Sequence, residues 1–256
     1  MRAIGTLHDA GVLRETTGRR RWPWLLLVPL LLVAVAALPH PRSDDLADLA
    51  LSGQRGPACV RVIVAPDVSG SMTSFEQVRT TALAEVARWA PENLRADDEL
   101  AVIVWDDAAE IALAPVAVGT GGELPTSLSQ PGSGGSEIGP AVALLPELAP
   151  THCRSALVAI SDGAISDDGN SGGISVASIL ASVFGTETPS IEQILRGAGV
   201  DRVAIILPNG ASAPEAWMQA FPYSLQFHAD PESAAQTGRA VAEAIAATTD
   251  QQLVER

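Results

Sequence analysis

Three apolar runs in this sequence each close on an aspartate, and that repetition limits the folds open to the chain more than any other feature. Val60-Arg61-Val62-Ile63-Val64-Ala65 leads to Asp67, Glu99-Leu100-Ala101-Val102-Ile103-Val104-Trp105 leads to Asp106-Asp107, and Ser155-Ala156-Leu157-Val158-Ala159-Ile160-Ser161 leads to Asp162-Gly163. Short runs of this kind, rich in β-branched residues and apolar almost throughout, read as strands buried on both faces. The stretch from Phe75 to Trp89 between the first two carries apolar residues at helical spacing. Farther on, the pattern predicts a helix near 190–198, a strand over 202–207, a helix near 213–220, a strand over 225–228 and a helix over 231–247. Strands alternating with helices predict an α/β fold: a doubly wound, mostly parallel six-stranded sheet with helices on both faces. One strand departs from the rule. Glu110–Val118 follows the second strand after a short turn, so it pairs antiparallel, and Pro115 places it at an edge.

The chain before this region is of a different character. Residues 1–21 form a polar tail ending in Arg19-Arg20-Arg21, and residues 22–39 are uncharged and mostly apolar. At ~1.5 Å per residue that segment just spans ~30 Å of hydrocarbon. Arginines before it and Ser43-Asp44-Asp45 after it place the N-terminus in the cytoplasm and the remainder outside. The segment reads either as a signal anchor, giving a single-pass protein of the cell membrane, or as a signal peptide cleaved near Ala34-Val35-Ala36. Residues 40–57, rich in Pro, Asp, Ser and Gly, read as a linker, residues 58–249 as the domain, and 250–256 as a C-terminal tail. The net charge is −14, and residues 1–39 carry five arginines against Asp9 and Glu15, which leaves −17 on residues 40–256. Such an acidic domain is unsuited to nucleic acid or anionic lipid and suited to cations and basic partners.

The turn Asp67-Val68-Ser69-Gly70-Ser71-Met72 leaves the carboxyl end of the first strand, the edge at which open α/β sheets bind ligands. Its carboxylate and hydroxyls are hard oxygen ligands, matched to Mg²⁺, Mn²⁺ or Ca²⁺. The plainer reading is an Asx turn capping the next helix. The spacing D-x-S-G-S-M resembles the metal-ion-dependent adhesion site of von Willebrand factor A domains. Two further segments agree with that resemblance: Gly134-Gly135-Ser136, where the family usually has Gly-Gly-Thr, and Ser161-Asp162-Gly163, where it usually has Thr-Asp-Gly. The resemblance covers roughly residues 58–249 and implies a cation held by Asp67, Ser69, Ser71, Ser136 and Asp162. Pro66 before Asp67 is unusual for the family. The resemblance also implies an open coordination position that takes a partner's Asp or Glu, so the expected activity is recognition of a protein ligand, not catalysis. An accessory subunit of an envelope complex with a structural metal is the alternative, and a hydrolase is a distant one. Specificity would lie in the loops Thr73-Ser74, 120–133 and 164–188, which carry no readable code.

Other constellations are weaker. Gly169-Asn170-Ser171-Gly172-Gly173 matches G-x-S-x-G, but a nucleophile elbow follows a strand directly, and the nearest strand ends about ten residues earlier. Asp168-Gly169-Asn170 opens like a calcium loop whose later ligand positions fail, with Gly172 and Ile179 in place of oxygen donors. A phospho-acceptor role for Asp67 wants a second Asp where Ser69 stands, and G-x-G-x-x-G after the first strand is absent.

Cys59 and Cys153 are the only cysteines. Each lies at the entry of a strand that delivers a site aspartate, and in the doubly wound order 3-2-1-4-5-6 these strands are parallel neighbours. Neighbouring strands lie ~4.8 Å apart, within the ~4.4–6.8 Å a disulfide needs between Cα atoms, so the two are expected to be bonded.

Overall fold

In the computed structural model of the protein, residues 45–120, 125, 127–150, 152–165 and 191–256 are described. Among these residues, eight strands and five α-helices follow in order: β1 (Leu49–Ser52), β2 (Val60–Pro66), α1 (Glu76–Asn93), β3 (Glu99–Trp105), β4 (Ala109–Ala117), α2 (Gly139–Leu144), β5 (Arg154–Ile160), α3 (Ile191–Gly197), β6 (Val200–Pro208), α4 (Glu215–Ala220), β7 (Leu225–Ala229), α5 (Ala234–Thr248) and β8 (Gln252–Glu255). Six of the strands form one sheet in the order β4-β3-β2-β5-β6-β7. All neighbours in it run parallel except β4, which lies antiparallel to β3 at the edge. This is the expected doubly wound arrangement, with Pro115 on the outer strand.

The central strands β2, β3 and β5 are buried almost throughout because both faces of the sheet are covered. Side chains alternate across a strand, and here Val62 and Val64 join one core cluster while Ile63 and Ala65 join the other. The first cluster packs the sheet against α1 and α5 through Leu83, Val86, Trp89, Val241 and Ile245. The second packs it against α2, α3 and α4 through Val142, Ile194 and Trp217. α2 begins at Gly139 with Pro140 in its first turn, where a missing N–H costs nothing. Ser233 caps α5 by accepting from the Gln236 N–H at 3.2 Å. Trp89 and Trp217 are buried at 4% and 0% exposure, consistent with packing roles.

The domain extends beyond the limits expected at both ends. Leu46 and Leu49, within the stretch read as a linker, are buried in the first core cluster. β1 pairs antiparallel with β8, which lies in the expected C-terminal tail, to form a separate two-stranded sheet. Trp89 Nε1 donates to the Leu49 carbonyl at 2.9 Å, and the Arg55 guanidinium pairs with the fully buried Asp98. The physical reason is long-range pairing. A four-residue strand without strong alternation gains its partner only from the far end of the chain.

Cys59 and Cys153 are joined by a disulfide with a Cα separation of 4.6 Å. Val60 pairs with Arg154 in register, so the residues just before them meet at the start of β2 and β5. No helix among the described residues is long and apolar enough to cross a membrane. The anchor expected over 22–39 and the Ser171 and Asp168 constellations lie outside the described residues.

Candidate functional site

β2 and β5 are in register up to Pro66 and Ile160, so the next residues, Asp67 and Ser161, emerge side by side at the carboxyl edge of the sheet. The Asp67 N–H continues the pairing by donating to the Ile160 carbonyl at 2.8 Å, and the Val68 N–H donates to the Trp105 carbonyl at 2.8 Å. Asp67 is therefore fixed from both neighbouring strands and is fully buried at 0% exposure.

Three donors satisfy its carboxylate. Oδ1 accepts the Ser69 N–H at 2.8 Å. Oδ2 accepts the hydroxyls of Ser136 at 2.9 Å and of Ser161 at 2.8 Å. Ser69 Oγ and Ser71 Oγ lie 3.3 Å apart, with Ser69 buried and Ser71 exposed. Four of the five residues expected to bind a metal thus share one site. The fifth, Asp162, is half-buried on the adjoining loop, and its Oδ1 accepts the Ala164 N–H at 2.9 Å.

Ser136 reaches Asp67 because its loop is tied down from a second strand end. Asp106, fully buried, follows β3, and its Oδ2 accepts the N–H groups of Gly132 at 3.0 Å and Gly134 at 3.1 Å. The Glu137 N–H donates to the Asp106 carbonyl at 2.8 Å, and Gly134 offers its own carbonyl to the Gly70 N–H at 3.0 Å. The glycines are required by space. A Cβ at Gly132 would fall 1.9 Å from Asp107 Oδ1, and Gly134 has φ +94°. Asp107 takes both the backbone N–H and the hydroxyl of Ser133. The Ser133 hydroxyl and then its backbone N–H hold the Asp107 carboxyl below the usual carboxylate range. Glu137 is shifted the other way, by burial and then by the charge of Asp107.

This donor set suits a hard cation. A hydroxyl has one proton and two lone pairs, so the Ser136 hydroxyl, which donates to Asp67, is of a type that can also act as a neutral oxygen ligand. Asp67 would ligate directly or through water, with Ser69, Ser71 and Ser136 as neutral oxygens and Asp162 supplying the second carboxylate.

Sequence reasoning did not assign Ser161, Asp106 or Arg79 to the site. Ser161 and Asp106 were visible as strand-end residues, but their partners are set by sheet register and loop path. Arg79 lies in a helical stretch and has no motif of its own. His228 is exposed, with Nε2 2.9 Å from the Ala211 carbonyl oxygen.

No family model matches the chain, and no curated protein matches it. Similar solved structures include BatB from Bacteroides thetaiotaomicron, at 16% identity and TM-score 0.46, covering 75% of this chain and 99% of that one. An aerotolerance-related membrane protein from Bacteroides fragilis is similar at 18% identity and TM-score 0.44, covering 73% and 98%. A von Willebrand factor type A structure from Catenulispora acidiphila is similar at 16% identity and TM-score 0.41, covering 73% of this chain and 43% of that one.

Proposed function

We propose that this chain carries a von Willebrand factor A-type domain that binds a divalent cation, Mg²⁺ first and Mn²⁺ or Ca²⁺ as substitutes, and uses it to hold an Asp or Glu of a protein partner. The ligands are Asp67, Ser69, Ser71, Ser136 and Asp162. One observation carries the reading: the Ser136 hydroxyl, 69 residues from Asp67 in sequence, lies buried on the Asp67 carboxylate. A helix cap would explain the local Asp67–Ser69 turn but not a second loop brought onto the same carboxylate. Two carboxylates and neutral hydroxyls balance a divalent ion and leave it able to accept an outside oxygen. The activity is recognition without bond cleavage. Residues 22–39 would hold the domain at the outer face of the membrane.

Capture of a partner from the envelope of the source organism tests this reading. Retention in Mg²⁺, release by EDTA without unfolding, and failure of Asp67→Ala to capture are expected. Unfolding in EDTA would assign the metal a structural role in an accessory subunit, and retention in EDTA would contradict the proposal.

A further inference from the structure

Arg79 lies one turn into α1 and is 2% exposed. Its Nη1 donates to the Met72 carbonyl at 2.6 Å, so the guanidinium reaches back to the turn Gly70–Phe75 that carries Ser71. Its Nε is buried with no hydrogen-bond partner among the described residues. A guanidinium does not shed its proton in a protein, and a buried charge short of partners is costly. Burial draws the Arg79 pKa down from its ordinary value, and the charges of Asp67, Glu76 and Asp162 oppose that pull. Arg79 also lines a narrow cavity together with Met72, Phe75, Ser161 and Asp162. The Asp162 carboxylate therefore shares a cavity wall with a buried cation that cannot leave, and the charge of Asp67 acts on the same guanidinium.

We propose that Arg79 is the resident counter-charge of the metal site: it stabilises the Asp67–Asp162 pair in the metal-free protein and, by the same charge, limits how tightly a divalent cation binds. This rests on the metal reading above and concerns how that site is regulated. Attraction to the carboxylates and repulsion of an incoming cation are both strong where water is largely excluded, and a divalent ion is repelled twice as strongly as a monovalent one. A site held back in this way binds metal weakly alone and more tightly once a partner's carboxylate adds negative charge.

The test is Mn²⁺ titration of the full chain, reading free Mn²⁺ by electron paramagnetic resonance, with the wild type, Arg79→Gln, Arg79→Lys and Asp67→Ala. Arg79→Gln should bind Mn²⁺ at least about tenfold more tightly than the wild type, a gain in keeping with removal of a nearby like charge. It should also melt at a lower temperature than the wild type in EDTA. Arg79→Lys keeps the charge and should stay within about threefold of wild-type affinity. A merely structural Arg79 would give weaker binding in both variants, never tighter binding in one. Wild-type binding that Asp67→Ala abolishes, with Arg79→Gln binding no more tightly, would overturn this inference alone. Absence of binding in both the wild type and Arg79→Gln would overturn the metal reading and this inference with it. Were Arg79→Gln not to fold, loss of affinity in folded Arg79→Lys would overturn the role of charge.

Discussion

Ser161 donates its hydroxyl to Asp67 Oδ2 at 2.8 Å across 94 residues of sequence. The bond follows from sheet register: Pro66 and Ile160 are paired, and each strand delivers its next residue to the same edge. Ser136 joins the same oxygen from a third segment. The buried carboxylate is thus the meeting point of three loops, each anchored by a strand or by a strand-end aspartate.

Ser161→Ala removes one of these donors from a fully buried carboxylate. Loss of a partner from a buried group costs ~1–3 kcal/mol. Urea denaturation in EDTA should show a destabilisation in that range, and an unchanged midpoint would mean that the bond contributes nothing.

Asp106→Asn keeps the shape of the side chain. It places an amide where Oδ2 now accepts from Gly132 and Gly134, or else turns that amide onto the Ala108 N–H that Oδ1 accepts. Facing donors should cost ~1–3 kcal/mol and release the loop that carries Ser136, so metal affinity should fall along with stability. Full metal affinity in the variant would show that Ser136 is positioned by other contacts.

Reduction of the Cys59–Cys153 disulfide opens a link spanning 94 residues. On the chain-entropy model such a link contributes ~4.7 kcal/mol, less any strain. Denaturation of the Cys59→Ser, Cys153→Ser double variant should show a loss of that order, and a loss below ~1 kcal/mol would contradict the model for this protein.

Asp107 is held below the ordinary carboxylate range by the Ser133 hydroxyl and then by the Ser133 N–H. A depressed folded pKa gives stability that is present above the unfolded value, ~3.9 for Asp, and lost as the pH falls through the folded value. The stability difference between wild type and Ser133→Ala should therefore be full at pH 6–7 and shrink below about pH 4. A difference that does not change with pH would show that the contact is independent of the charge.

Much of this was legible in the sequence because it is local. The runs at Val60, Glu99 and Ser155 mark their strands by composition, and Pro115 marks an edge by its missing N–H. The Cys59–Cys153 pairing followed once β2 and β5 were placed as neighbours. What the sequence hid depends on distance. β1 and β8 pair from opposite ends of the domain, and neither Leu49–Ser52 nor Gln252–Glu255 has a pattern strong enough to mark a strand alone. Asp67, Ser69, Ser71, Ser136 and Asp162 could be named from spacing. The partnership of Ser161 with Asp67 needs the register, and the place of Arg79 in one cavity wall with Ser161 and Asp162 needs the fold of α1 onto the sheet.

The central claim is that Asp67 and its neighbours hold a divalent cation, and titration calorimetry with Mg²⁺ and Mn²⁺ tests it most directly. The wild type should bind one equivalent per chain. Asp162→Ala should bind at least about tenfold more weakly, the scale of losing one nearby charge, and Asp67→Ala should not bind measurably, both while folded by circular dichroism. Equal binding by the wild type and the two variants would place any metal elsewhere and contradict the account.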